Sequence, residues 1–478
     1  MDRLRKAIFI ALVAAEILVQ YVDVPAIRVS LGPIALLCWA FAFGQADRMS
    51  KRISLVLVSI GALLYLRNRV PISDIAGSFA QNTSVLMIMT LIPLVGVAVD
   101  LGGYADALSL ASRSVRNPRS LYMLALLLSF TIGSVLLNAA IALLWVVLFP
   151  VVERLVKEPR WFLVKALPRG YDASLLWTPA SPSTAVALTV SGATWTAIAA
   201  PGFAISLVML AIAIAFEWRA LRPAPVADET VTPAPATTAA TAGAAATATA
   251  AASGEDRTAD TWGSVDRETK RKLAGLAIGL FSFIASIVVM EALGVTIYQA
   301  ILPCVLGTLF VWTALLGKLP EAAKGLVKRL DDSMSRMSTQ FLLMTTAGFI
   351  GTAVKFATAG GLPGYLSALG ENRLAFTAVV SCSVTLLSAA CIHPQIGMVI
   401  GYSLVASVAP SYSPAHICLA LLLGASLGFN LSPVSATMLV TSACAQTNSI
   451  EVGLKSHWRY ALVVLPVVIL ILSYLILI

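Results

Sequence analysis

Charge is scarce in this sequence. Asp, Glu, Lys and Arg make up 12% of 478 residues, where a soluble domain carries about 25%. Half the usual charge cannot clothe a body of this length for water. A soluble globular protein, a disordered chain and a nucleic-acid module are therefore excluded as descriptions of the whole. Histidine is rarer still, with three in the chain. The six cysteines, Cys38, Cys304, Cys382, Cys391, Cys418 and Cys444, form no CxxC pair and lie mostly in apolar runs. That leaves no disulfide framework and no zinc motif, and makes them small apolar filler. No Walker motif or HExxH is present, so ATP drive and zinc-hydrolase chemistry have no visible centre. No enzyme, metal site or resident cofactor is expected.

What the chain has in abundance is apolar length. Hydrophobic residues make up 58% and the mean hydropathy is +0.87. The stretches are too long for barrel strands and suit helices. The expected fold is an all-α polytopic membrane protein with about 11 transmembrane helices. They are placed near 7–22, 29–45, 53–66, 83–101, 171–192, 200–218, 273–293, 296–317, 339–357, 414–445 and 460–478. Two further stretches, 120–153 and 374–409, are too long for one span. Each returns to its starting side as a re-entrant hairpin or as two full spans. Residues 222–270 are rich in Ala, Thr and Pro with nothing to bury, and read as a disordered cytoplasmic linker. The chain thus divides into a first span (1–28), one repeat (29–221), the linker, and a second repeat (271–478). The net charge of +9 follows the positive-inside rule. Loops carrying Arg48, Lys51 and Arg52, Arg154 to Arg169, and Lys318 to Arg329 share one side, which places the N-terminus in the cytoplasm and the C-terminus outside. Arg67 and Arg69 are the exception.

The halves resemble one another. Gly96-Val97-Ala98-Val99-Asp100 matches Gly351-Thr352-Ala353-Val354-Lys355, Asn138 falls on His393, and Ser181-Pro182-Ser183-Thr184 recurs as Ser432-Pro433-Val434-Ser435. The charge rule puts the two hairpins on opposite faces, so the repeats are inverted. A site between inverted repeats can face either side of the membrane in nearly equal conformations.

The strongest local signals are two interrupted spans. Pro179 and Pro182 break the first, and Pro433 with Asn430 and Ser432 breaks the second. Broken backbone at membrane depth must be enclosed by protein or line a wet cavity. Ser181-Pro182 and Ser432-Pro433 each look like a helix start, a Ser cap followed by Pro at the first helical position. Free amides there favour an anion, and unwound carbonyls a cation. Ser183, Thr184 and Ser435 add hydroxyls. The hairpin centres add Asn138, His393 and Gln395, with Pro394 marking a turn, and His393 is a candidate proton carrier. Asp172 opens the broken fifth span as a helix-start charge and is the second candidate for proton coupling. Neither hairpin centre nor either break carries a carboxylate. His416 and His457 sit near membrane edges.

The layout resembles the ion transporter superfamily, which includes divalent anion/sodium symporters, the large membrane subunit of tripartite periplasmic carriers, and arsenite and sodium/proton exchangers. The resemblance covers roughly 29–220 and 271–478. Of the Ser-Asn-Thr signature at the symporters' hairpin tips, this chain keeps only Asn138, in Leu137-Asn138-Ala139, against Ile392-His393-Pro394 at the other tip. The resemblance implies a homodimeric scaffold with a moving substrate domain, working as an elevator. The expected activity is secondary active transport of a small organic anion, a carboxylate, across a bacterial-type inner membrane, coupled to Na⁺ or H⁺. Asn138, Ser181, Ser183, Thr184, His393, Gln395, Asn430, Ser432 and Ser435 would line the site. The lipid bilayer and the small anion are the expected partners, with no nucleic acid. A tripartite-carrier subunit and a cation/proton exchanger are the alternatives.

Overall fold

The computed structural model describes residues 2–221, 266–358, 368–406 and 408–475. The expected linker lies outside the described residues up to 265, and its last residues belong to a helix that begins at Arg267. All regular structure among the described residues is helical. The first half contains α1 (Asp2–Tyr21), α2 (Pro25–Gln45), α3 (Arg48–Arg67), α4 (Ile72–Ser78), α5 (Thr83–Leu91), α6 (Gly96–Gly102), α7 (Tyr104–Arg113), α8 (Pro118–Leu136), α9 (Ala139–Leu155), α10 (Pro159–Ser174), α11 (Pro182–Ser191) and α12 (Trp195–Glu217). The second contains α13 (Arg267–Ala292), α14 (Ile297–Leu315), α15 (Leu319–Arg336), α16 (Ser338–Thr358), α17 (Arg373–Ala389), α18 (Pro394–Val405), α19 (Pro414–Leu431), α20 (Ala436–Ala445) and α21 (Ser456–Leu470).

Ten stretches among the described residues are long and apolar enough to cross a membrane, and the chain is a multi-pass membrane protein. Two expected spans fall outside that set. Residues 7–22 lie in α1, whose Arg5, Lys6 and Glu16 dilute its apolar run. Residues 171–192 are not one span but the end of α10, a break, and α11. The expected hairpins are α8–α9 and α17–α18. The α8 helix, at 19 residues, is long enough by itself to span, whereas α18 has 12 residues and is too short.

Local chemistry sets the helix starts. Asp47 and Asn372 accept the amides of Ser50 and Ala375 at 2.9 and 3.0 Å. Asn117 and Ser413 cap α8 and α19, each followed by Pro at the first position. A capping oxygen satisfies an amide that has no helical carbonyl to reach.

The helices pack in two groups that meet each other where α16 lies on α18, α7 on α9 and α5 on α11. The first joins α1–α7 with α13–α16, in which α16 lies on α2 and α3 and α13 on α14. The second joins α8–α12 with α17–α21, and its two halves use the same contacts. The α8 helix packs on α10, and α17 on α19. Ser129 donates to Leu167 O at 2.6 Å across the first pair, and Ser381 to Ala420 O at 2.8 Å across the second. Glycine permits both crossings. A Cβ on Gly170 would lie 2.3 Å from Leu126 O, and one on Gly424 2.6 Å from Ser381 O. Small residues that let backbones approach are how helices associate where lipid removes the hydrophobic drive.

The segment 154–169, read from its charges as a cytoplasmic loop, is in fact largely α10. Arg169 is fully buried. It donates to Glu217 at 2.9 Å and to Tyr122 at 3.2 Å, and its guanidinium lies over the Tyr460 ring at 4.7 Å. Lys165, one turn earlier, reaches the other Glu217 oxygen at 3.0 Å. The cluster ties α8, α10, α12 and α21 together, and His457 belongs to it through Arg169 Nε at 3.4 Å. His416 is likewise buried, held between Thr377 and Arg373. The pairing of Asp100 is with Arg329 at 3.4 Å.

Two outcomes are expected in thermal unfolding of the detergent-purified protein. Gly170→Ala forces backbone against backbone and costs about 1–3 kcal/mol, while Gly307→Ala, where a Cβ meets nothing within 4 Å, lowers nothing. Glu217→Gln leaves Arg169 buried without its carboxylate and costs about 3–5 kcal/mol.

Candidate functional site

The two breaks differ from one another. In the first, residues 175–181 leave the helix, Pro179 sits in the irregular stretch, and Ser181 caps α11 by accepting from Ser183 N at 3.1 Å, with Pro182 at the first helical position. This start is the one the sequence indicates. Thr178 and Thr184 stitch the open turn, donating to Ser134 O at 2.5 Å and Leu175 O at 3.0 Å.

The second break spans 432–435, and here the expected start is corrected. Ser432 ends α19, its amide donating to Gly428 O at 2.8 Å. Pro433 sits inside the turn, closed by Ser435 N on Ser432 O at 3.1 Å. Ser435 is the cap, accepting from Met438 N at 3.1 Å and donating to Phe429 O at 2.7 Å. A Pro at the first helical position is favourable but not required, and the hydroxyl that finds both an amide and a carbonyl wins.

The hairpin tips share an unusual backbone. Leu137 and Cys391 have φ of 54° and 67°. Leucine and cysteine rarely adopt positive φ, and each such residue stores about 1–3 kcal/mol of strain. Immediately after the first lies Asn138, the cap position of α9. After the second, His393 caps α18 through Nδ1, which accepts from Gln395 N at 3.4 Å, and Pro394 follows.

Tips and breaks meet crosswise. Thr437, in the first turn of α20, donates within 3.2 Å of both Asn138 Oδ1 and Asp172 Oδ1. Gln395, beside the second tip, donates to Ser183 Oγ at 3.5 Å, at the start of α11. The first tip thus touches the second break, and the second tip the first. Ser426 adds a bond to Asp172 O at 2.6 Å. Asp172 does not open a helix as expected, because α10 began at Pro159. It lies near the helix's end, fully buried, and brings a carboxylate to a site that had none in the sequence.

Several polar atoms here are buried without a partner: Asp172 Oδ2, Gln395 Oε1, Asn430 Oδ1 and Nδ2, and Ser432 Oγ. Buried polar groups in native proteins are nearly always paired, and an orphan costs about 1–3 kcal/mol. All five belong to residues at or beside the two breaks and the second tip. A cavity of about 50 Å³ adjoins it, bordered by His393, Gln395 and Val434 and by Gln340 and Met344 of α16.

The structure therefore places Asn138 and Asp172 against Thr437, and Ser183 against Gln395, as two contacts between the halves. Ser181, Thr184 and Ser435 bond within their own segments, and His393 faces the cavity. Asn430 and Ser432 lie in the last turn of α19 and at its end. Sequence reasoning missed Thr437, whose signal was available: a hydroxyl one turn past a helix start. Elsewhere, Glu16 accepts from Thr83 at 2.5 Å and Glu291 from Trp195 N at 2.8 Å, both outside this cluster. Among the described residues no group of three or more His, Cys, Asp or Glu side chains could hold a metal.

No protein-family model matches the sequence, and no curated protein does either. A solved structure does match. The fold is similar to that of the Alcanivorax borkumensis YdaH transporter, a crystal structure noted for an unusual topology, with a TM-score of 0.52 and 15% identity over 88% of this chain and 96% of that one. At that identity the likeness is one of fold.

Thr437→Val removes one hydroxyl from two acceptors at nearly constant volume. It is expected to lower stability by about 1–3 kcal/mol in thermal unfolding, and Thr437→Ser to restore most of the loss.

Proposed function

We propose that this chain is a secondary active transporter of a small organic anion, a carboxylate, in a bacterial-type inner membrane, coupled to H⁺ or Na⁺. The observation that carries the reading is the crosswise meeting of tips and breaks, with Asn138 on Thr437 and Gln395 on Ser183, where Asp172 and Gln395 each keep a buried oxygen without a partner. Half-helix starts at Ser181 and Ser435 present amides that helix geometry leaves free, and these attract negative charge. The likeness in fold to the YdaH transporter supports transport over enzymatic chemistry.

The matching bonds of Ser129 and Ser381 support the inverted repeat, with the first and second tips as hairpins opening from opposite faces. The division into two helix groups supports an elevator in which α8–α12 and α17–α21 move against a scaffold, which the resemblance to the ion transporter superfamily implies is homodimeric. The N-terminus is placed in the cytoplasm and the C-terminus outside by the loop charge.

Asp172 displaces His393 as the coupling group. It is a buried carboxyl at a break, bonded to the opposite half through Thr437, so its charge and the closure of the site are linked. The same carboxylate raises the standing of a cation/proton exchanger as second reading.

Uptake into proteoliposomes by a panel of labelled carboxylates, under separate sodium and proton gradients, tests this. Gradient-driven uptake of at least one acid is expected. Asp172→Asn should lose the gradient dependence, and Asn138→Ala and Ser432→Ala should lose at least tenfold in uptake at equal membrane expression. Wild-type uptake in all three, or cation exchange with no acid moved, overturns the reading.

A further inference from the structure

The two helix groups also meet through a pair of turns. The turn from α13 to α14 belongs to the first group, and the turn from α11 to α12 to the second. Glu291, in the last turn of α13, accepts the first amide of α12, Trp195 N, at 2.8 Å. Tyr298, in the first turn of α14, donates to Ala185 O of α11 at 3.1 Å and lies 2.5 Å from Thr189 Oγ1. By contrast, Ser403 of α18 reaches Gly351 O of α16 at 3.4 Å while its own helix offers Val399 O at 2.7 Å.

The Glu291 contact is a helix cap supplied by the other group. The first amides of a helix have no helical carbonyl to reach. A carboxylate there is favoured twice, as an acceptor and as a charge at the positive end of the dipole. Its second oxygen, Oε2, is buried without a partner, so the cap bond is the compensation for sinking this carboxyl here. Yet α12 has a cap residue of its own. Thr194 stands at the cap position with φ −89° and ψ 150°, the extended backbone that a capping residue adopts. Its side chain makes no cap bond, and its hydroxyl lies 3.4 Å from Thr196 Oγ1. Two oxygens are on hand for one helix start, and the one in use belongs to the neighbouring group.

We infer that Glu291 and Tyr298 are positioning residues that hold this arrangement of the two groups, and that α12 changes its cap from Glu291 to Thr194 when the groups move past one another. This rests on the elevator reading and deepens it. A hydrogen bond does not survive a displacement of a few ångströms, so both turn-to-turn contacts are lost when the second group moves. A threonine waiting at the cap position limits that loss, because the freed amides of α12 find another oxygen at once. The balance between the two caps then sets the ratio of the two arrangements.

Pulsed electron paramagnetic resonance on the full chain in lipid nanodiscs tests this. With the six native cysteines replaced, nitroxide labels at Phe281→Cys of α13 and Leu462→Cys of α21, 73% and 63% exposed, report the separation of the groups. Two distances are expected in this background. Glu291→Ala should raise the ratio of the second arrangement to this one about tenfold, the worth of a helix cap, and Tyr298→Phe should move it the same way. Thr194→Ala should move it the opposite way, since α12 then has a cap only here. Damage to the fold would not give shifts of opposite sign. Two distances whose ratio is unchanged in Glu291→Ala or in Tyr298→Phe, or that does not shift oppositely in Thr194→Ala, overturn the cap exchange while the moving group stands. One distance common to every variant overturns both.

Discussion

A helix severed inside a bilayer leaves amides and carbonyls that lipid cannot satisfy, and this chain severs two. The rest of the architecture follows from enclosing them. At the first break Thr178 and Ser181 accept the amides of Ala180 and Ser183, and Thr184 donates to Leu175 O, all from within the segment. At the second Ser435 serves an amide and a carbonyl at once. The helices that follow the breaks are then tied to the opposite half by side chains, Thr437 to Asn138 and Asp172, and Ser183 to Gln395. Enclosure and site-building are therefore the same act.

Such an arrangement needs rigid supports. The support is visible around Arg169, whose fully buried guanidinium joins α8, α10, α12 and α21 through Tyr122, Glu217, Tyr460 and His457. An unpaired charge there would be intolerable, so the geometry of α10 is held until its last turn, where Asp172 lies. Close glycine crossings at Gly170 and Gly424 fix the hairpin arms on the interrupted helices. The strain at Leu137 and Cys391 is retained at both tips, which is where a bistable element would store it.

Much of this was legible in the residues. Ser181-Pro182 and His393-Pro394 announce their helix starts because cap and proline are local signals. Asn138 and Gln395 stood out as amides in apolar runs. Three things were not legible. The Arg160, Lys165 and Arg169 charges read as a loop because their counter-charge, Glu217, is 52 residues beyond Lys165. With the helix start misplaced, Asp172 became a terminal charge instead of a buried one at the site. The choice of Ser435 over Ser432 depended on Phe429 O and Met438 N lying within reach of one hydroxyl, which only the folded turn reveals. The partners of Thr437, Asn138 and Asp172, lie on the opposite half, and no spacing rule connects them to it.

The central claim is that both tip-to-break contacts exist together in the membrane. Cysteine cross-linking tests it most directly. In a background with the six native cysteines replaced, the pairs Asn138→Cys with Thr437→Cys and Ser183→Cys with Gln395→Cys are oxidised in native membrane vesicles and read by protease cleavage in the 222–265 segment. Each pair holding the two halves together as one band is the predicted result. Separation of the halves in either pair, with Asn138→Cys plus Leu315→Cys as the negative control, would contradict the account.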